Sequence, residues 1–107
     1  MNAAEEIMGR SEITLAVPIK AHGEELTVLK LRRPTTAEVR KIGRMPYVAV
    51  DESGKITPDM AVVPDYISVC AGIPPSSVEQ LDLSDLNTLA WSIAAFFLMP
   101  ASAVSGS

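Results

Sequence analysis

The run from Leu29 to Val39 constrains the fold more than any other stretch of this chain, because it ends a β-strand and opens a helix within a few residues. Leu29 and Leu31 lie two apart, the spacing that puts both on one face of a strand. Pro34 has no backbone N–H and biases Arg33 towards an extended conformation, so the strand stops here. Thr35 and Glu38 then fit a capping box, with the threonine side chain accepting from the Glu38 N–H and the glutamate accepting from the Thr35 N–H. No residue in this join is placed for chemistry. It is an architectural device, and it points to a small adaptor rather than an enzyme.

The preceding stretch supplies the partner strand. Ile13, Leu15 and Val17 alternate with Thr14, Ala16 and Pro18, a pattern with one buried face. His22-Gly23 separates it from Leu26–Arg32, and glycine gives the positive φ that a tight hairpin turn needs. The first third is therefore a β-hairpin over about residues 12–18 and 25–32. Two strands are marginal alone in water, so the apolar face requires a cover.

The remaining sequence supplies helices. One opens at Thr36 and runs to about Arg44, ended by Pro46. Tyr47–Lys55 reads as a loop with an exposed turn at Asp51-Glu52-Ser53-Gly54. Thr57-Pro58 has the form of a helix start, with Val63, Ile67 and Cys70 on one stripe, a kink or restart at Pro64, and Gly72 as the C-terminal cap. Ser76 and Glu79 have capping-box spacing within a single helical turn. Ser84 is expected to start the last helix, with Asp85 favourably placed against its dipole; it reaches about Met99 with Leu86, Leu89, Ala90, Ile93 and Phe97 as its core stripe. The expected fold is α+β, a hairpin covered by three or four short helices. A leader over 1–11, a domain over 12–99 and a flexible tail over 100–107 complete the division, and Ile7 and Met8 in the leader could dock when a partner is present.

Composition narrows the function. With 107 residues, 48% of them apolar and only 5% aromatic, the chain supports one domain whose core is mainly aliphatic. A net charge of −4 disfavours nonspecific phosphate binding. The basic cluster of Lys30, Arg32, Arg33, Arg40, Lys41 and Arg44 alternates with apolar residues, the pattern of a solvated sheet edge and helix face. Cys70 is the only cysteine, which excludes an intrachain disulfide. The start of the chain, with Glu5 and Glu6, lacks the form of a secretory signal. The most apolar stretch, Leu89–Ala101, is broken by Ser92 and Pro100 and falls short of the ~17–25 residues that cross a bilayer. These features suggest a soluble cytoplasmic protein that engages neither membrane nor nucleic acid.

No nucleophile–base pair is apparent. His22 belongs to a turn, and Cys70 lies on an apolar helical stripe where an inert thiol is the default. The Cys and His residues needed for a metal centre are missing, and the glycines are scattered rather than gathered into a phosphate loop. Neither catalytic residues nor a cofactor or metal is expected.

The order of motifs resembles the Mu-like phage tail assembly chaperones. Leu15-Ala16-Val17-Pro18-Ile19 is similar to the family's leucine-x-x-proline-isoleucine strand, and Leu31-Arg32-Arg33-Pro34-Thr35 to its leucine-arginine-x-proline-threonine strand end. Val69–Pro74 resembles its helix end at a glycine, and Val78–Asp85 its valine-x-x-leucine-aspartate stretch before the last helix. The likeness covers roughly residues 12–98; the prolines at 46, 64 and 75 depart from it. It implies a non-enzymatic assembly factor, absent from the mature virion, that binds the tape measure protein and hands it over as tail tube subunits polymerise. Two other readings compete. One is a small structural virion component of tail or head; the other is a nucleic-acid-binding regulator using Arg32, Arg33, Arg40, Lys41 and Arg44.

Trp91, Leu98 and Met99 fall outside the core stripe of the last helix, so its C-terminal half is apolar nearly all round. Together with Phe96 they form the candidate partner surface, for an amphipathic tape measure helix or for self-association. The expected core is Leu15, Val17, Leu29, Leu31, Val39, Ile67, Leu86, Leu89, Ile93 and Phe97. Replacing Leu31 with Ala is expected to cost about 2–5 kcal/mol in urea unfolding; a much smaller loss places this strand outside the core.

Overall fold

Strands β1 (Glu12–Ala21) and β2 (Glu24–Lys30) form an antiparallel hairpin in the computed structural model, which describes residues 11–100. The leader and tail, apart from Ser11 and Pro100, lie outside the described residues. His22 and Gly23 both take positive φ, 54° and 77°, the geometry that matches the twist of paired strands. The hairpin is longer than expected and is interrupted. Thr14 pairs with Val28 and Ile19 with Leu26, so Leu15, Ala16, Val17 and Pro18 face the single residue Thr27. This bulge corrects the expectation for Val17. Strict alternation would bury it, but the chain bows out of the ladder here and leaves it 44% exposed. Pro18 is tolerated for the same reason, since a bulge needs no ladder donor.

The join after β2 folds as its sequence dictates. Thr35 Oγ1 accepts from Glu38 N at 3.2 Å, and Glu38 Oε1 accepts from Thr35 N at 2.8 Å, which starts α1 (Thr36–Ile42). Arg32 grips the same carboxylate through both guanidinium ends, at 2.8 and 2.7 Å. That contact, more than any other, lowers the Glu38 carboxyl to a pKa of about 2. Gly43, in the left-handed region, ends the helix ahead of Pro46.

The middle of the chain departs from expectation. Tyr47–Ala49 (β3) and Ile56–Pro58 (β4) pair as a second small hairpin where a loop and a helix start were expected. Asp59, not Thr57, opens the turn that follows: its carbonyl accepts from Val62 and Val63, both at 2.9 Å, and its carboxylate from Ala61 at 3.1 Å. Helix α2 (Val63–Ala71) has Pro64 in its first turn, where a missing N–H costs nothing, so there is no kink. Gly72 caps it with φ 68°. In the single turn α3 (Pro75–Val78) the N-cap is Pro74, and the expected Ser76 cap does not form.

Helix α4 (Leu83–Leu98) crosses the hairpin. Its N-cap is Asp82, whose carboxylate accepts from Ser84 N at 3.1 Å, rather than Ser84 itself. The core gathers Ile13, Leu15, Ile19, Leu29 and Leu31 from the hairpin, Tyr66, Ile67 and Cys70 from α2, and Leu89 and Ile93 from α4. Val39, Leu86 and Phe97, expected inside, are half-buried against it. From Ser92 to Phe96 every residue of α4 is buried, so most of its surplus apolar surface is consumed within the domain. Among the described residues no helix is long and apolar enough to cross a membrane.

Asp85 does more than complement a dipole. It is buried, and its carboxylate accepts from Ala16 N at 2.9 Å through each oxygen and from Val17 N at 3.2 Å. These are donors that the bulge releases from the ladder. Asp85→Ala is expected to destabilise the domain by about 1–3 kcal/mol, with Asp85→Asn less costly because one acceptor oxygen remains. Urea unfolding measures both. A loss within about 0.5 kcal/mol, the usual range of surface substitutions, contradicts this role.

Candidate functional site

Pro34 keeps Arg33 extended as the chain leaves β2, and the Arg33 side chain is thereby sent across the end of α4 rather than along α1. Its guanidinium donates to the Phe96 carbonyl at 2.8 Å and to the Met99 carbonyl at 3.2 Å. The same group lies over the Phe96 ring, 5.6 Å from its centre. The last carbonyls of a helix have no partners within it and carry its negative end, so a cation is well placed here.

Beside this clamp runs a groove of about 290 Å³. Arg33 and Pro34 line it from the linker, Thr36 and Val39 from α1, Met45 from the following segment, and Phe96 and Phe97 from α4. The Phe97 ring is fixed by edge-to-face contacts with Tyr66, 5.4 Å between centroids, and Tyr47, 6.1 Å. The Tyr66 hydroxyl in turn donates to the Arg44 carbonyl, which ties the end of α1 to α2. The lining is apolar but for Arg33 and Thr36. Six of the nine Lys and Arg residues fall between Lys30 and Arg44, so the groove sits in the basic part of an acidic chain.

The four residues singled out from sequence do not form one surface. Phe96 is buried at 3% exposure; it forms the floor of the groove, under Arg33, rather than an exposed contact. Leu98 is exposed and Met99 half-buried at the same end of α4. Trp91 is half-buried and lies six residues before Phe97, about 9 Å back along the helix axis. Sequence reasoning missed Met45, which sits in an irregular segment with no periodicity, and placed Val39 and Phe97 in the core. The available signal was Arg33-Pro34, whose extended geometry denies the arginine to its own strand.

The groove offers mainly apolar side chains, with the Arg33 guanidinium and the Thr36 hydroxyl as its polar groups. Cys70 is buried, with its thiol pushed up to about 12 chiefly by that burial, so it is not a thiolate at neutral pH. Exposed His22 shares a hydrogen bond with the Gly72 carbonyl at 3.1 Å. Among the described residues there is no group of three His, Cys, Asp or Glu that could hold a metal.

Residues 12–98 match the family described as phage tail assembly chaperone proteins, E, or 41 or 14. The matched span runs from the first residue of β1 to the last of α4. The chain belongs to the phage tail assembly chaperone family. No curated protein and no solved structure matches it. Membership assigns a role in tail assembly, implies a non-enzymatic one, and points to phage tail proteins as partners.

Because Arg33 satisfies the end of α4 and forms part of the groove wall, Arg33→Ala is expected to cost about 1.5–3 kcal/mol, the range for hydrogen bonds to a charged group. Arg33→Lys restores part of it, since an ammonium reproduces the charge but not the planar fork. Thermal or urea unfolding of the three proteins checks the order.

Proposed function

We propose that this domain binds a helical segment of the tape measure protein in the groove between α1 and α4 and keeps it soluble until tail tube subunits polymerise around it. The observation that carries the reading is the groove itself. Its floor is aromatic, its edge includes Met45 at 42% exposure, and Leu98 at 47% exposure lies at the same end of α4. A groove of this form suits the apolar stripe of an amphipathic helix, with anchors at i, i+3 or i+4 and i+7. Its volume is at the lower bound for small-molecule pockets, which favours side chains over a cofactor. In this reading the protein acts in the host cytoplasm and is absent from the mature virion.

The basic cluster weighs against a nucleic-acid role. Arg32 is paired with Glu38, Arg33 with the α4 carbonyls, and Arg44 with Asp59 at 2.7 Å. Three of the six cations are thus engaged within the domain, and Lys30, Arg40 and Lys41, the exposed remainder, are a small set for a phosphate-binding stripe on a chain of net charge −4.

Co-expression with the tape measure protein of the same phage tests the proposal. Met45→Asp and Leu98→Asp are expected to leave the domain folded and to lose most of the client from the soluble fraction. Leu83→Asp, at an 80% exposed position on the other end of α4, should retain it. Trp91→Ala distinguishes the helix end from the helix flank and should have the smaller effect. If the groove variants hold the client as well as wild type does, the binding surface is elsewhere. If wild type rescues no client, the tape measure assignment fails.

A further inference from the structure

We propose that the α1 wall of the groove selects its client by charge, with Arg40 pairing a carboxylate that flanks the apolar stripe of the bound helix. The inference rests on the groove being the client site, and it adds which amphipathic helices that site takes. Three observations carry it. The first is placement. Thr36 and Val39 line the groove from α1. Val39 and Ile42 also pack against the core, which marks the inner margin of the helix. Arg40 follows Thr36 by four, so it stands beside Thr36 at the outer margin of the lining face. Lys41 is turned about 100° further and lies on the side of α1 away from the groove.

The second observation is which cations are already engaged. Arg32 is held by Glu38 and Arg44 by Asp59, while Arg33 donates to the Phe96 and Met99 carbonyls. Arg40 is exposed and has no ion-pair partner among the described residues. The third observation is the asymmetry of the two walls. No charged side chain follows Asp85 in the chain, so the α4 wall at Phe96 and Phe97 has no carboxylate or cation of its own. Between Lys30 and Arg44, by contrast, stand six of the nine Lys and Arg but one of the thirteen Asp and Glu, and that one is Glu38. The field at the groove is therefore positive and comes from one side. A helix with acidic flanks gains a partner there, whereas one with basic flanks meets Arg40 as a like charge with no acid to offset it.

The test measures binding of the full chain to synthetic amphipathic helices that share one leucine stripe and carry glutamate, glutamine or lysine along both flanks. It is run at about 0.15 M salt, where charges more than about 8 Å away are largely screened. Wild type is expected to bind the glutamate form about two- to fivefold more tightly than the glutamine form, the range for an exposed ion pair, and the lysine form least. Arg40→Gln, which adds no like charge, should remove most of the glutamate preference, and Arg40→Glu should make the glutamate form the weakest. Lys41→Glu changes the net charge equally in the same last turn of α1 and should leave the order of the peptides as in wild type. Equal effects of Arg40→Glu and Lys41→Glu mean that net charge alone acts, and they overturn the proposal. A wild type that binds the glutamate form no better than the glutamine form overturns it too. Met45→Asp separates this inference from the reading beneath it. If it weakens all three peptides while Arg40→Glu leaves their order unchanged, the groove holds the helix and only charge selection fails. If it weakens none, or if no peptide binds wild type, the groove reading fails and the inference with it.

Discussion

The carboxylate of Asp85 is the contact on which the architecture turns. A two-stranded hairpin has an outer edge on each strand, and β1 adds a bulge whose N–H groups have left the ladder. Asp85 reaches back 69 positions in sequence to accept from Ala16 and also accepts from Val17. Nearby, Ser77 Oγ donates to the Lys20 carbonyl at 2.6 Å, while the Gln80 amide both accepts from Lys20 N and donates to its carbonyl. Side chains from α3, α4 and their connection therefore do for β1 what a third strand would do. At Ala16, Val17 and Lys20 the edge is thereby occupied and not free to pair with another strand.

The opposite end of α4 is held by the same logic with the charges reversed. Asp85 lies in its first turn and Arg33 at its last carbonyls, so each terminus meets the charge that opposes its dipole. One partner comes from β1 and the other from the end of β2. The helix is strung across the hairpin with both ends fixed by the strands it covers. Between these anchors Leu89, Ile93 and Phe96 supply apolar burial, and the position of the groove follows from where the second anchor falls.

Local chemistry was legible in the sequence, and long-range satisfaction was not. The Thr35–Glu38 capping box, the His22-Gly23 turn and the Gly72 cap each depend on neighbours a few residues away, and all three form. The bulge at Leu15–Pro18 depends on an acceptor brought from another element, so alternation misplaced Val17. Strands of three residues such as β3 and β4 are too short to show a period, and Thr57-Pro58 satisfies a helix-start pattern as well as a strand end. The candidate surface suffered in the same way. The excess of apolar residues on α4 was visible, but Ser92–Phe96 are covered by the fold, and of the four candidate residues Leu98 alone is exposed.

The groove wall has a property of its own. Helix α1 has seven residues, none of them buried, well below the length at which a helix is stable alone. It is held by its capping box, by the Arg32–Glu38 pair, by the Gly43 cap and by the link from Tyr66 to Arg44. Beside the partial burial of Val39 and Ile42 against the core, those contacts are polar and mostly at its ends, whereas the α4 floor is packed into the core. A local opening of α1 therefore exposes little apolar surface and belongs to the low-energy end of the domain's motions. Met45, unbranched and half in solvent, adapts readily to the shape of what it meets. For the groove proposed as the client site, a firm aromatic floor beside a marginally held wall is the arrangement that would let helices of differing sequence bind and leave again.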